Sequence, residues 1–140
     1  MFVVENEIRE HIDKLSSKMR RDYSDMLREL DLHVGQDNLL CRLWTEDGQT
    51  HNQLSERLNC EPPTVTNMVK TLEKKGFVYR KKDLTDGRVS RVYLTDQGLA
   101  VREPIEKVWT RQQDKLLRGL TGEDRQLLNE LLQKMEENLR

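Results

Sequence analysis

Cysteine is scarce in these 140 residues: only Cys41 and Cys60 occur, and neither a CxxC pair nor a metal-ligand spacing joins them. That excludes a disulfide scaffold and predicts reduced thiols. No apolar run approaches the roughly 18 residues that span a bilayer. The opening MFVVENEIRE also lacks the basic then apolar order of a secretory leader. Together these absences predict a soluble, cytoplasmic chain. Net charge is almost absent as well, with 24 Lys and Arg against 25 Asp and Glu leaving -1, so overall charge points to no partner. The seven glycines fall at helix ends and turns without a phosphate-cradling fingerprint, and no nucleophile with its base or carboxylate pair stands out. His11, His33 and His51 are scattered. No catalytic residue, metal site or cofactor is therefore expected, and no membrane contact.

What the chain does have is helical periodicity, on a length that one ordinary domain can use to bury a core. Ile8, Ile12, Leu15, Met19, Tyr23, Met26, Leu27 and Leu30 step by three or four and make the first thirty residues one amphipathic helix. A second helix is predicted from Gln36 to Trp44, burying Leu39, Leu40, Leu43, Trp44 and the neighbouring Cys41, with Asp47-Gly48 as its break. Thr50 can cap a third helix that ends at Asn59-Cys60, and Pro62-Pro63 suits the first turn of a fourth, where a missing N–H has no partner to lose. In that fourth helix Val65, Met68, Val69 and Leu72 form the apolar stripe. Gly76 stops it.

The period then changes. Phe77 to Arg80 and Arg91 to Leu94 are rich in β-branched and aromatic residues, and the intervening Asp86-Gly87 turn signal predicts a two-stranded hairpin. Such a hairpin is unstable alone and must pack on the helices before it. Thr95 can cap a long helix reaching Leu117, kinked by Pro104, and Thr121-Gly122-Glu123-Asp124 opens a last helix through Leu127, Leu128, Leu131, Leu132, Met135 and Leu139. The fold class expected is mainly α with a small β-hairpin wing.

Charge is unevenly spread. Glu61 to Arg91 holds eight basic and four acidic residues, or +4, which leaves -5 for the remainder. A basic segment suits a polyanion, because Lys and Arg displace counterions condensed on phosphates; on charge alone a solvated face fits equally. The fourth helix sharpens the choice. Its outward face carries Thr64, Thr66, Asn67, Lys70, Thr71 and Lys74, opposite a stripe that fixes it to the protein. Asn pairs with an adenine edge, Thr with a thymine methyl, and Lys70 reaches a phosphate or guanine. Each residue singly also fits an ordinary exposed helix position. At the hairpin tip, Arg88 suits the negative potential of a narrow minor groove. Asp86 can hold either Arg88 or Arg91 by charge-assisted hydrogen bonds.

Over essentially its whole length the sequence resembles the MarR family of winged helix-turn-helix regulators. The resemblance rests on Gln53 to Leu58, on Thr64 to Val78, on Asp83-Leu84-Thr85-Asp86-Gly87-Arg88, and on Val92 to Gly98. It implies a single MarR-like domain in which 36–95 is the DNA-binding lobe and 1–32 and 96–140 supply dimerisation helices. The DNA-binding set is then Thr50, Gln53, Pro63, Thr64, Thr66, Asn67, Lys70, Thr71, Lys74, Lys82, Asp86, Arg88 and Arg91. The dimerisation set is Ile8, Ile12, Leu15, Leu127, Leu131, Met135 and Leu139.

The partners implied are double-stranded DNA carrying an inverted repeat, a second copy of the chain, and a small-molecule effector that releases a repressor from its operator. Peroxide-sensing members place a reactive cysteine in the first helix, which here has none; Cys60, at the turn before the fourth helix, is the remaining candidate. Zinc-responsive members cluster histidines, unlike this chain. The alternative reading is a winged-helix module that docks proteins and has lost DNA binding.

Overall fold

The structure is a computed structural model that describes residues 3–140. In chain order it runs α1 (Val3–Arg28), α2 (Gln36–Thr45), β1 (Gln49–Thr50), α3 (His51–Leu58), α4 (Pro62–Lys74), β2 (Val78–Lys82), β3 (Ser90–Leu94), α5 (Asp96–Ala100), α6 (Arg102–Leu116) and α7 (Gly122–Asn138). α1 to α4, the hairpin and α7 fall where the periodicity predicts them, and α3, α4 and the hairpin form a winged helix-turn-helix. Among the described residues no helix is long and apolar enough to cross a membrane. The chain groups into two compact units, one closing at Val108 and the other running Trp109–Arg140.

The core of the first unit collects one stripe from each element. Leu27, Leu39, Leu40, Leu43, Leu54, Val65, Val69, Leu72, Val92 and Ile105 are all buried. Burying a side chain of this size contributes about 1.5–3 kcal/mol against leaving it in water. The helix ends are chemically set. Thr50 Oγ1 accepts from Gln53 N–H while Gln53 Oε1 accepts from Thr50 N–H, a reciprocal cap on α3. Thr121 and Asp124 do the same for α7. Gly76, at φ +87°, ends α4, and its carbonyl accepts from Thr95 Oγ1 at 2.6 Å.

Four details differ from the sequence expectation. The hairpin is part of a three-stranded sheet of order β1-β3-β2, because Gln49 and Thr50 pair antiparallel with Val92 and Arg91. The strands extend beyond the predicted Phe77 to Arg80 and Arg91 to Leu94, leaving residues 83–89 as the wing loop, and Gly87 within it is not among the positive-φ glycines that a type I′ turn needs. The predicted long helix breaks at Val101, earlier than the proline itself, because Pro104 has no N–H for the Ala100 carbonyl and its ring crowds that oxygen. Pro104 then sits in the first turn of α6. Trp44 and Cys41 are half-buried, not buried. Trp44 lies at the core's margin, where its indole N–H donates to Gly98 O at 2.9 Å and Arg102 stands 5.7 Å above its ring.

Candidate nucleic-acid interface

The turn between α3 and α4 is built from the chain's own polar groups. Asn59 adopts the left-handed conformation, at φ +51°, Cys60 N–H donates to Ser55 O, and Ser55 Oγ donates back to Cys60 O at 2.5 Å. Glu61, Pro62 and Pro63 follow, and α4 starts with both prolines in its first positions, where their missing donors cost nothing. Cys60 Sγ is half-buried and donates to Leu58 O at 3.4 Å.

Along α4 the two faces separate as expected. Val65, Val69 and Leu72 are buried, whereas Pro63, Thr64, Asn67, Lys70 and Lys74 are exposed. Thr66 and Thr71 lie between the faces. Their hydroxyls donate back to the carbonyls four residues earlier, Thr66 Oγ1 to Pro62 O at 3.1 Å and Thr71 Oγ1 to Asn67 O at 3.0 Å. With those protons committed, the two threonines offer a partner an acceptor and a methyl group. Thr50 and Gln53 are likewise engaged in capping α3, Thr50 half-buried and Gln53 exposed.

The wing is organised by a residue absent from the expected set. Asp83 accepts from Thr85 N–H at 3.1 Å, Thr85 Oγ1 at 2.7 Å, Asp86 N–H at 3.0 Å and Arg91 Nε at 2.7 Å. These donors, the Arg91 guanidinium foremost, hold its carboxyl well below the usual carboxylate range. Arg91 also donates from its Nη1 to Gly48 O at 2.9 Å, so its charge is turned inward to the wing base and the turn before β1.

The question of which guanidinium Asp86 holds is thereby decided: Asp86 Oδ1 accepts from Arg88 N–H at 3.1 Å and Arg88 Nε at 3.2 Å. The Arg88 side chain is nonetheless 91% exposed. Lys82 is exposed at the end of β2.

A second missed pair joins wing to helix. Glu73 of α4 accepts from Arg80 of β2 at its backbone N–H (3.2 Å), its Nε (3.3 Å) and its Nη2 (2.9 Å). Arg80 lowers the Glu73 pKa in return. Across the strands Tyr79 and Tyr93 stack with ring centres 5.5 Å apart. The Asp83 arrangement had a signal in the sequence, because an aspartate bonding the backbone two residues on is a common turn device. The Glu73 to Arg80 pair had none, since strand register decides it.

The residues proposed for dimerisation lie on two helices. Ile8, Ile12 and Leu15 are exposed along α1, and Leu127, Leu131 and Met135 along α7, with Leu139 just beyond it.

Comparison with known proteins agrees with this architecture. The model of the MarR family matches residues 33–90. An uncharacterized HTH-type transcriptional regulator of Bacillus subtilis, YdgJ, is 34% identical over 101 residues, 72% of this chain and 62% of that protein. A second B. subtilis regulator, YwaE, is 29% identical and is covered to 60%, so the chain spans about three fifths of the length of these two relatives. Among solved structures, a MarR protein from Peptoclostridium difficile superposes with a TM-score of 0.86 at 30% identity, covering 94% of this chain and 86% of that one. A mutant MarR from E. coli complexed with operator DNA superposes with a TM-score of 0.84 at 26% identity, covering 96% and 97%. With the helix-turn-helix, the wing and near-complete superposition in hand, the chain belongs to the MarR family.

Proposed function

We propose that this chain is a sequence-specific DNA-binding transcriptional regulator that works as a cytoplasmic homodimer, a repressor released from an inverted-repeat operator by a small-molecule effector. Residues 36–95 are the DNA-binding lobe, and 1–32 and 96–140 carry the dimerisation helices. The observation that carries the reading is Arg88, oriented at its base by Asp86 while its side chain stands in solvent at the wing tip. A charge displayed in that way suits insertion into a minor groove.

In this reading Asn67 reads base edges, Thr64 and Thr66 supply short contacts near the α4 N-terminus, and Lys70, Lys74 and Lys82 meet phosphates. Arg91 and Asp83 shape the wing without touching DNA. The solved complex of the E. coli MarR mutant with operator DNA supports the docking mode. The exposed stripes of α1 and α7 support the homodimer, because apolar rows of that length favour a covering partner. Two symmetry-related lobes then require half-sites about one helical turn apart. An effector releases DNA if it prefers a dimer whose α4 helices are mis-spaced. Catalysis has no place in this reading.

Fluorescence anisotropy on duplexes selected from a randomised pool tests it. Binding should fall steeply with salt, and Arg88→Ala should weaken it without changing the thermal midpoint. Equal binding of wild type and Arg88→Ala would refute the wing assignment. A protein that favours no duplex over another would return the chain to a protein-docking role.

A further inference from the structure

The carboxyl end of α1 meets the recognition helix α4 at a corner to which the proposed function gives no role. α1 closes with Leu32 N–H donating to Leu27 O at 3.1 Å and Asp31 N–H to Arg28 O at 3.0 Å. Asp31 itself takes φ +60°, the left-handed closing position usually filled by glycine. Its carbonyl accepts from Lys75 Nζ at 2.6 Å, and its carboxylate lies 3.6 Å from the same ammonium. Lys75 is the C-cap of α4, and its side chain is only 18% exposed against 80% for that of Asp31. The ammonium is therefore held, and the short contact to the carbonyl outweighs the solvated ion pair.

A second point of α4 touches the same corner. Gly35, at φ +101°, lies beside α4, where a Cβ would stand in ordinary van der Waals contact, 3.6 Å from Met68 Sδ. Met68 and Lys75 are about two helical turns apart, roughly 10 Å along the axis. Because the buried Val65, Val69 and Leu72 already seat α4 in the lobe, a tie at its C-cap holds the lobe as a whole against α1. The corner is braced from the other side by Asp37, fully buried, which accepts from the Tyr23 hydroxyl of α1 and from Gly35 N–H at 3.1 Å.

We infer that Lys75 is a positioning residue for DNA recognition. By gripping the Asp31 carbonyl it fixes the angle of α4 against α1, and so the spacing at which two α4 helices present themselves to successive major grooves. This rests on the DNA-binding dimer proposed above.

The test is a set of duplexes carrying the repeat selected by wild-type protein, with half-site separation changed one base pair at a time, together with a single half-site. Wild type should favour its own spacing by about tenfold over its neighbours. Lys75→Met, which keeps the apolar stem, should flatten that preference to about threefold or less while holding single half-site affinity within about twofold. Asp31→Gly, which keeps the carbonyl and the left-handed turn, should retain the wild-type profile. A Lys75→Met protein that loses affinity equally at every spacing, or keeps a sharp optimum, overturns the inference while leaving DNA binding intact. An Asp31→Gly profile as flat as that of Lys75→Met overturns the role of the carbonyl. Wild-type protein that selects no repeat from a randomised pool overturns both readings.

Discussion

Arg91 and Asp83 close the base of the wing, Arg91 Nε standing 2.7 Å from Asp83 Oδ1 while its Nη1 reaches back to Gly48 O of the preceding turn. The contact makes the loop between β2 and β3 one hydrogen-bonded unit around a single carboxylate.

Asp83→Asn removes that charge and should lower DNA affinity about tenfold, because a loosened wing must be ordered on binding. Thermal stability should fall modestly, because the partly buried ion pair to Arg91 is lost while the core stripes are untouched. Because the folded carboxyl lies below its ordinary 3.8, its contribution is complete above that value and is lost only as pH falls through the folded one. Affinity of wild type should therefore show no Asp83-linked change between pH 8 and about 5. A carboxyl titration by NMR with its midpoint at or above 3.8 would contradict the arrangement.

Asn67 and Lys70 are both exposed on α4 but should fail differently. Asn67→Ala should relax preference at one base position, at a cost of about 1–3 kcal/mol on the best site. Lys70→Ala should weaken all duplexes alike and reduce the salt slope by about 1. A randomised-site selection returning the same sequence profile for Asn67→Ala as for wild type would sink the distinction.

Gly98 should not tolerate a methyl group. A Cβ there would lie 2.1 Å from Phe77 O and 3.1 Å from Leu94 Cδ2, and neither the backbone oxygen nor the packed leucine can retreat far. The same residue's carbonyl accepts from Trp44 Nε1. Gly98→Ala should destabilise the fold by about 1–3 kcal/mol in urea titrations. Gly87→Ala, where a Cβ meets nothing within 4 Å, should stay within about 0.5 kcal/mol of wild type.

His51 opens α3 with a buried Nε2 that has no hydrogen-bond partner, and burial, aided by Arg80, lowers its pKa from 6.5. The sign follows from linkage: below 6.5 the unfolded chain takes up a proton that the folded one resists, so stability falls with acidification until the folded value is passed. Urea midpoints at pH 7.5, 6.5 and 5.5 should decline in that order, and His51→Gln should remove part of the decline. An unaltered pH profile in the variant would exclude His51 as its source.

Much of this was legible in the residue order. Thr50, Thr95 and Thr121 announced their caps, Gly76 its helix stop, and the Val65, Val69 and Leu72 stripe the inward face of α4. Each is a local rule acting within one or two turns. The third strand was not legible, because two residues carry no period and Gln49 and Thr50 become a strand only by meeting Val92 and Arg91. Nor was the inward turn of Arg91, which by type and position looked equal to Arg88.

Sequence by itself therefore determined where most helices begin, where the hairpin falls and which stripe of α4 faces inward, since periodicity, caps and turn chemistry are properties of neighbours along the chain. Tertiary structure alone decided how the charges pair. Whether Arg91 turns inward to Asp83, whether Glu73 meets Arg80 and whether Lys75 reaches Asp31 depend on distances between residues from 7 to 44 positions apart. Only packing sets such separations, because a long cationic side chain can reach several carboxylates or carbonyls and the fold leaves one within 3 Å or so.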